Sequence, residues 1–129
     1  MLDTDILSDL IKNPGGRASQ RMLSVDQGLL STSVIVAAEL RYGCAKKGSA
    51  PLLQKVDALL AEIPALPLEI PADLDYGAVR AALEAMGQPI GYNDMLIAAH
   101  AISLGATLVT ANEREFRRIA GLKVENWLA

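Results

Sequence analysis

Apolar positions recur along this chain with two periods, and the alternation between them predicts the elements. The helical period is clearest at residues 51–63, where Leu52, Leu53, Val56, Leu59, Leu60 and Ile63 fall on one stripe behind Pro51 in the first turn. Residues 6–12 predict a short helix, broken by Asn13-Pro14-Gly15-Gly16. Further helices are expected over 17–27 (stopping at Gly28), 37–47 (closing at Gly48), 71–86 and 94–104 (ending at Gly105), with a helical turn over 114–119. In the 71–86 helix, Leu74, Ala78, Ala82, Leu83 and Met86 are expected to face inward. Between these lie short apolar or β-branched runs that read as buried strands: residues 1–3, 29–36, 66–68, 107–110 and 123–127.

Strands alternating with helices through short loops predict an α/β fold. It is a single-domain, three-layer α/β/α arrangement with a mostly parallel sheet of four to five strands. The length of 129 residues fits one domain spanning 1–129 and suffices for a core without metal or disulfide staples. Aromatics supply only 4% of the chain, so that core must be aliphatic. The single cysteine, Cys44, excludes an internal disulfide framework, fits a reducing compartment and reads as a small packing residue.

Charge narrows the function classes. Fifteen acids against twelve bases leave a net charge of −3, unlike a protein that coats nucleic acid non-specifically. A protein binding RNA through a local patch and a metal remains compatible. No run approaches the roughly 18 apolar residues of a membrane helix. Near the start stand Asp3 and Asp5 rather than a basic segment, so a secretory signal is not expected and the cytoplasm is the expected location.

Open parallel sheets place ligands at the carboxyl ends of their strands, which directs attention to the polar residues there. Asp3 ends the first strand. Glu39 follows the second strand, in the expected first turn of its helix, inside the apolar run Val36-Ala37-Ala38-Glu39-Leu40. Asp94 opens a helix, where it also fits an ordinary first-turn or capping acid. Asn112 follows the strand ending at Thr110, with Glu115 three residues on. Two carboxylates 4 Å apart repel by about 4 kcal/mol at an effective dielectric near 20. A convergent set therefore calls for protonation, strong solvation or a cation, and hard oxygen ligands favour Mg²⁺ or Mn²⁺. One His and one Cys make a zinc site implausible. His100 lies six residues past Asp94, about 120° further round the helix, and reads as structural; Asp9 reads as a solvated face. Arg41, Lys46, Lys47, Arg114, Arg117 and Arg118 are the bases nearest this edge, with Arg41 and Arg114 the candidates for substrate phosphate.

The residues also carry a resemblance. Leu2-Asp3-Thr4-Asp5, Ala38-Glu39-Leu40-Arg41-Tyr42-Gly43, the stretch from Gly91 through Asp94 to Ala101, and Leu108-Val109-Thr110-Ala111-Asn112 through Glu115-Phe116 occur in the order and spacing of a PIN-domain nuclease, more closely a ribonuclease toxin of the VapC type. The resemblance covers the whole chain. It implies a Mg²⁺- or Mn²⁺-dependent endoribonuclease that uses metal-activated water on the phosphodiester of tRNA or another structured RNA. It further implies a homodimer and a cognate antitoxin protein. Asp3, Glu39 and Asp94 match the family's core metal-binding acids, with Asn112 and Glu115 completing the catalytic set. Asn112 stands where the family often has a fourth acid, and Asp5 where it commonly has Asn.

An alternative rests on Asp3-Thr4-Asp5, a D-x-D motif at a strand end, which resembles haloacid-dehalogenase-type phosphatases. Asp3 would be nucleophile, Asp5 general acid, Ser31 or Ser33 a phosphate contact and Asp94 a Mg²⁺ ligand. That chemistry wants a lysine ahead of the late acidic motif, and the last one before Asp94 is Lys55. A non-catalytic, receiver-like module would need a lysine at the end of a late strand, where Thr110-Ala111-Asn112 offers none.

Overall fold

Leu2 is the centre of the molecule. In the computed structural model, which describes residues 1–129, its backbone bridges in parallel to Thr32 on one side and to Val109 on the other. It thereby joins two parallel pairs into one sheet: β1 (Thr32–Ser33) with β2 (Ala65–Leu66), and β3 (Leu108–Val109) with β4 (Val124–Glu125). The spatial order is β2, β1, Leu2, β3, β4, all parallel. The bonds that fix it are short: Leu2 N–H to Ser31 O at 2.8 Å, Asp3 N–H to Val109 O at 2.9 Å and Val109 N–H to Met1 O at 2.8 Å. The Thr32 hydroxyl, fully buried, adds a bond to Leu2 O at 2.6 Å. The expected parallel sheet is present, with strands shorter than the apolar runs suggested.

Helices α1 (Thr4–Lys12), α2 (Arg17–Leu23), α3 (Val34–Lys47), α4 (Ala50–Glu62), α5 (Ala72–Ala85), α6 (Tyr92–Ser103) and α7 (Glu113–Phe116) make up the rest. Their apolar faces and the sheet enclose a core of Leu2, Ile6, Leu7, Val36, Val56, Leu83, Ile97, Leu108 and Phe116. Phe116 and Trp127 are its buried aromatic rings, with half-buried Tyr76 packed against it. Helix α6 is buried along most of its length, at Met95 and from Ile97 to Ala101. Cys44 is buried among apolar neighbours.

Several boundaries differ from expectation, among them the start of α6, at Tyr92 rather than Asp94; three of them have a plain local reason. The run 29–36 yields a strand of two residues only, because Ser33 caps a helix: its Oγ accepts the Ile35 N–H at 3.1 Å. Helix α3 thus starts at Val34, three residues early, and Glu39 lies in its second turn rather than its first. The expected 17–27 helix stops at Leu23, where the Ser24 hydroxyl bonds back to Arg21 O at 2.7 Å. Asp26 then caps a separate 3₁₀ turn at Gln27–Leu29. In α5 the inward face is Ala72, Val79 and Leu83. Of the five residues expected there only Leu83 is buried; Leu74 and Met86 are 72% and 54% exposed. The last strand is also brief, Val124–Glu125 within the expected 123–127.

Candidate active site

Every strand of a parallel sheet points its carboxyl end the same way, so the residue after each strand arrives at one edge. Asp3 comes from the Leu2 segment, Glu39 from the helix after β1, and Thr110, Asn112 and Glu115 from the segment after β3. Asp94 is brought in by the first turn of α6.

Asp3 is buried, with 6% exposure. Its Oδ1 accepts the Thr4 N–H at 2.8 Å, capping α1, and its Oδ2 accepts the Thr110 hydroxyl at 2.8 Å. That hydroxyl has one proton to give. Asp5 Oδ2 stands 3.4 Å from the same oxygen and is served instead by the Ala111 N–H at 3.0 Å. Thr110 Oγ1 in turn accepts the Asn112 N–H at 3.1 Å. Asn112 donates its side-chain amide to Glu115 Oε2 at 3.0 Å. Across the site the Thr4 hydroxyl donates to Glu39 Oε1 at 2.8 Å.

Asp94 is not a cap. The N-cap of α6 is Gly91, and no side chain bonds to the first-turn amides. A carboxylate at a helix start should find its ionised form favoured, yet the Asp94 pKa is raised to about 6. The causes are burial first, then the negative charges of Glu39, Glu115 and Asp5. Asp3 is likewise raised to about 6, chiefly by burial and further by Asp5 and Asp94, against the lowering effect of its bond from Thr110. The structure thus brings together all the sequence-predicted acids, Asp3, Glu39, Asp94 and Glu115, with Asn112 bonded into the group.

Three contributors were missed as site residues. Asp5 is the clearest: its Oδ1 is buried without a hydrogen-bond partner. Its signal was present as the second Asp of Asp3-Thr4-Asp5. Thr4 and Thr110 orient the acids, but the sequence holds no sign of bonds that span 35 and 107 residues.

The donors suit a hard divalent cation. They are carboxylate oxygens, one of them orphaned, in a cluster whose own charge raises two of its members. The cluster is open: no three His, Cys, Asp or Glu side chains are arranged to hold a metal ion as they stand. The two arginines part company. Arg41 is bonded to Asp57 of α4 at 2.7 Å, while Arg114 is exposed on α7 beside Glu115 and makes no ion pair. A groove opens from Thr4 and Glu39 between α1, α3 and α4, with Leu40, Leu52 and Val56 on its walls and Lys12 and Lys47 at its rim. Helix α4 therefore serves both core and groove.

The phosphatase arrangement is not favoured, since one of its two candidate phosphate contacts is already taken. Ser33 is fully buried and bonded both to the Ile35 N–H and to His100 Nδ1, the latter at 2.8 Å, so it faces no ligand. His100 is buried in that pairing, as its structural reading required, and burial lowers its pKa.

Comparison with known proteins agrees with this geometry. The model of the PIN domain matches residues 1–122. Ribonuclease VapC2 of Rickettsia felis is 40% identical over 98% of this chain and 96% of its own. The tRNA(fMet)-specific endonuclease VapC of Shigella flexneri is 37% identical over the same shares. Among solved structures, VapBC2 from Rickettsia felis bound to a promoter DNA fragment superposes with a TM-score of 0.88 at 38% identity, covering 98% of this chain and 97% of that one. DNA-bound VapBC from Salmonella typhimurium gives a TM-score of 0.90 at 35% identity, covering 98% and 96%.

Proposed function

The chain belongs to the PIN-domain family, and from that membership and the acidic cluster we propose that it is a divalent-cation-dependent endoribonuclease, the toxin of a toxin–antitoxin pair. One observation carries the reading: five carboxylates, Asp3, Asp5, Glu39, Asp94 and Glu115, gather at one end of a parallel sheet without a cationic side chain bonded to any of them. Such a cluster is costly unless it serves a cation.

Asp3, Asp94 and Glu39, with Asp5 beside them, are the residues that would hold Mg²⁺ or Mn²⁺. When bound, the ion supplies an activated water and offsets charge on the phosphoryl oxygens. The protein's own part is positioning. Thr110 fixes Asp3, Thr4 fixes Glu39, and Asn112 holds Glu115 at the rim. Arg114, free of any carboxylate, is the better placed contact for substrate phosphate; Arg41 would first have to leave Asp57. Water as nucleophile leaves the 2′-hydroxyl uninvolved, so RNA preference must come from fit; with the P–O3′ bond broken, the 3′-oxygen leaves as a hydroxyl and the product carries a 5′-phosphate.

The names of the relatives support tRNA as substrate and an antitoxin as partner. A homodimer is proposed on the family resemblance. No helix is long and apolar enough to cross a membrane.

The test is cleavage of total bacterial tRNA by the purified, antitoxin-free chain with Mg²⁺ or Mn²⁺, with EDTA, and beside Asp94→Asn. Discrete products that need the cation and vanish in the variant are expected. Cleavage that persists equally in Asp94→Asn would overturn the reading.

A further inference from the structure

Beyond the bound cation and Arg114, an acidic chain with an acidic site gains little from phosphate attraction, so a contact that does not depend on charge would strengthen its hold on a polyanion. Tyr92 offers such a contact. It is the first residue of α6, two before Asp94, and its side chain is left 65% exposed. One face of its ring lies over the guanidinium of Arg80, 4.9 Å from the ring centroid. That guanidinium is itself fixed on α5, donating from Nε to Glu84 at 2.9 Å and from Nη1 to the Tyr76 hydroxyl at 3.2 Å. An exposed Tyr usually swings between rotamers; this one is backed by a three-residue support along one face of α5. The residue as a whole stays largely exposed despite this support.

We propose that Tyr92, backed by Arg80, is a stacking platform for a nucleobase of the RNA that flanks the cleavage site. The proposal rests on the ribonuclease reading above. Two residues of α-helix turn about 200°, so the Tyr92 ring and the Asp94 carboxylate flank the start of α6 on opposite sides. A strand crossing that helix start would lay a phosphate at the acids and a base further along the strand on the ring. Stacking is indifferent to the protein's charge and tolerant of base identity, which suits a site lined with carboxylates. Tyr92 would thus set binding and register, while the acids carry the chemistry.

The effect should fall on ground-state binding. Tyr92→Leu is expected to raise KM for tRNA about tenfold with kcat within about twofold of wild type. Tyr92→Phe and Tyr92→Trp, which keep the ring, are expected to stay near wild type. Tyr92→Trp in an Asp94→Asn background gives a direct readout: its exposed indole should be quenched by tRNA, against the emission of Trp127, which is 6% exposed, in Asp94→Asn alone. Unchanged KM in Tyr92→Leu, or no quenching beyond that of the background, overturns the platform and leaves the ring as a contact for a protein partner or a staple between α5 and α6. Those outcomes are read with wild-type cleavage intact, so they are separate from failure of the ribonuclease reading. Absence of any cation-dependent cleavage by wild type overturns both.

Discussion

The Thr4 hydroxyl donates to Glu39 Oε1 at 2.8 Å, tying the first turn of α1 to the second turn of α3. Glu39 has no cationic partner, so this bond is what aims its carboxylate at the cluster. A hydrogen bond to a charged group contributes about 1.5–3 kcal/mol. Thr4→Val should therefore lower tRNA cleavage by about tenfold or more, and Thr4→Ser should retain it. Initial rates at saturating Mg²⁺ would show this; equal rates in all three would mean that Glu39 needs no such aim.

Thr110 makes a different prediction, for stability. It is fully buried and gives Asp3 its side-chain donor at 2.8 Å. Thr110→Val leaves a buried carboxylate short of a partner and should cost about 1–3 kcal/mol in urea unfolding. Thr110→Ser, which keeps the hydroxyl, should cost less. A Thr110→Val protein as stable as wild type would show that Asp3 is satisfied without it.

The acidic cluster trades stability for function, and the trade depends on pH. The Asp94 pKa is raised from 3.8 to about 6 in the folded chain. Its ionisation therefore opposes folding: the cost is absent below about pH 4, grows as pH rises through the window to about 6, and is complete above it. Asn at this position carries no such cost. Without divalent cations, Asp94→Asn should match wild type near pH 4 and exceed it by about 1–2 kcal/mol at pH 8, a figure discounted for the partly exposed carboxylate. Taking the difference between the two proteins cancels His100, whose pKa is lowered by burial and which weakens the fold as pH falls below about 6.5. Thermal melts in EDTA at the two pH values decide it. Asp94→Asn less stable than wild type at pH 8 would mean that Asp94 is satisfied without a cation.

Asn112 spares the cluster a further charge. Its amide donates to Glu115 Oε2 at 3.0 Å. Asn112→Asp would set two carboxylates face to face and lower stability in EDTA by about 1 kcal/mol. It should also enlarge the rise in melting temperature on adding Mg²⁺, which calorimetry would register. No larger Mg²⁺ response would place Asn112 outside the proposed cation site.

Legibility in the sequence followed how local each cause was. Helix α4 was plain because its stripe and its Pro51 lie within one segment, where the structure adds a Ser49 cap. Helix α5 was not: two stripes compete on its surface, and packing against α6 buries Val79 and Leu83 while leaving Leu74 and Met86 outside. Glu39 was legible as a charge in an apolar run. Asp5 was legible only as half of a D-x-D pair, because its place in the cluster is set by the Ala111 amide, 106 residues away.

The sequence by itself determined the alternation of strand and helix, the single aliphatic core, and the acids that a parallel sheet would deliver to one edge. Tertiary structure decided the rest. It set the threonines that aim those acids, the burial that raises Asp3 and Asp94 to about 6, the loss of Arg41 to Asp57, and the seating of Tyr92 on Arg80. Period and spacing are properties of neighbouring residues, which a sequence records. Hydrogen bonds across the sheet and mutual repulsion between carboxylates depend on distances that exist only after distant segments have been brought together.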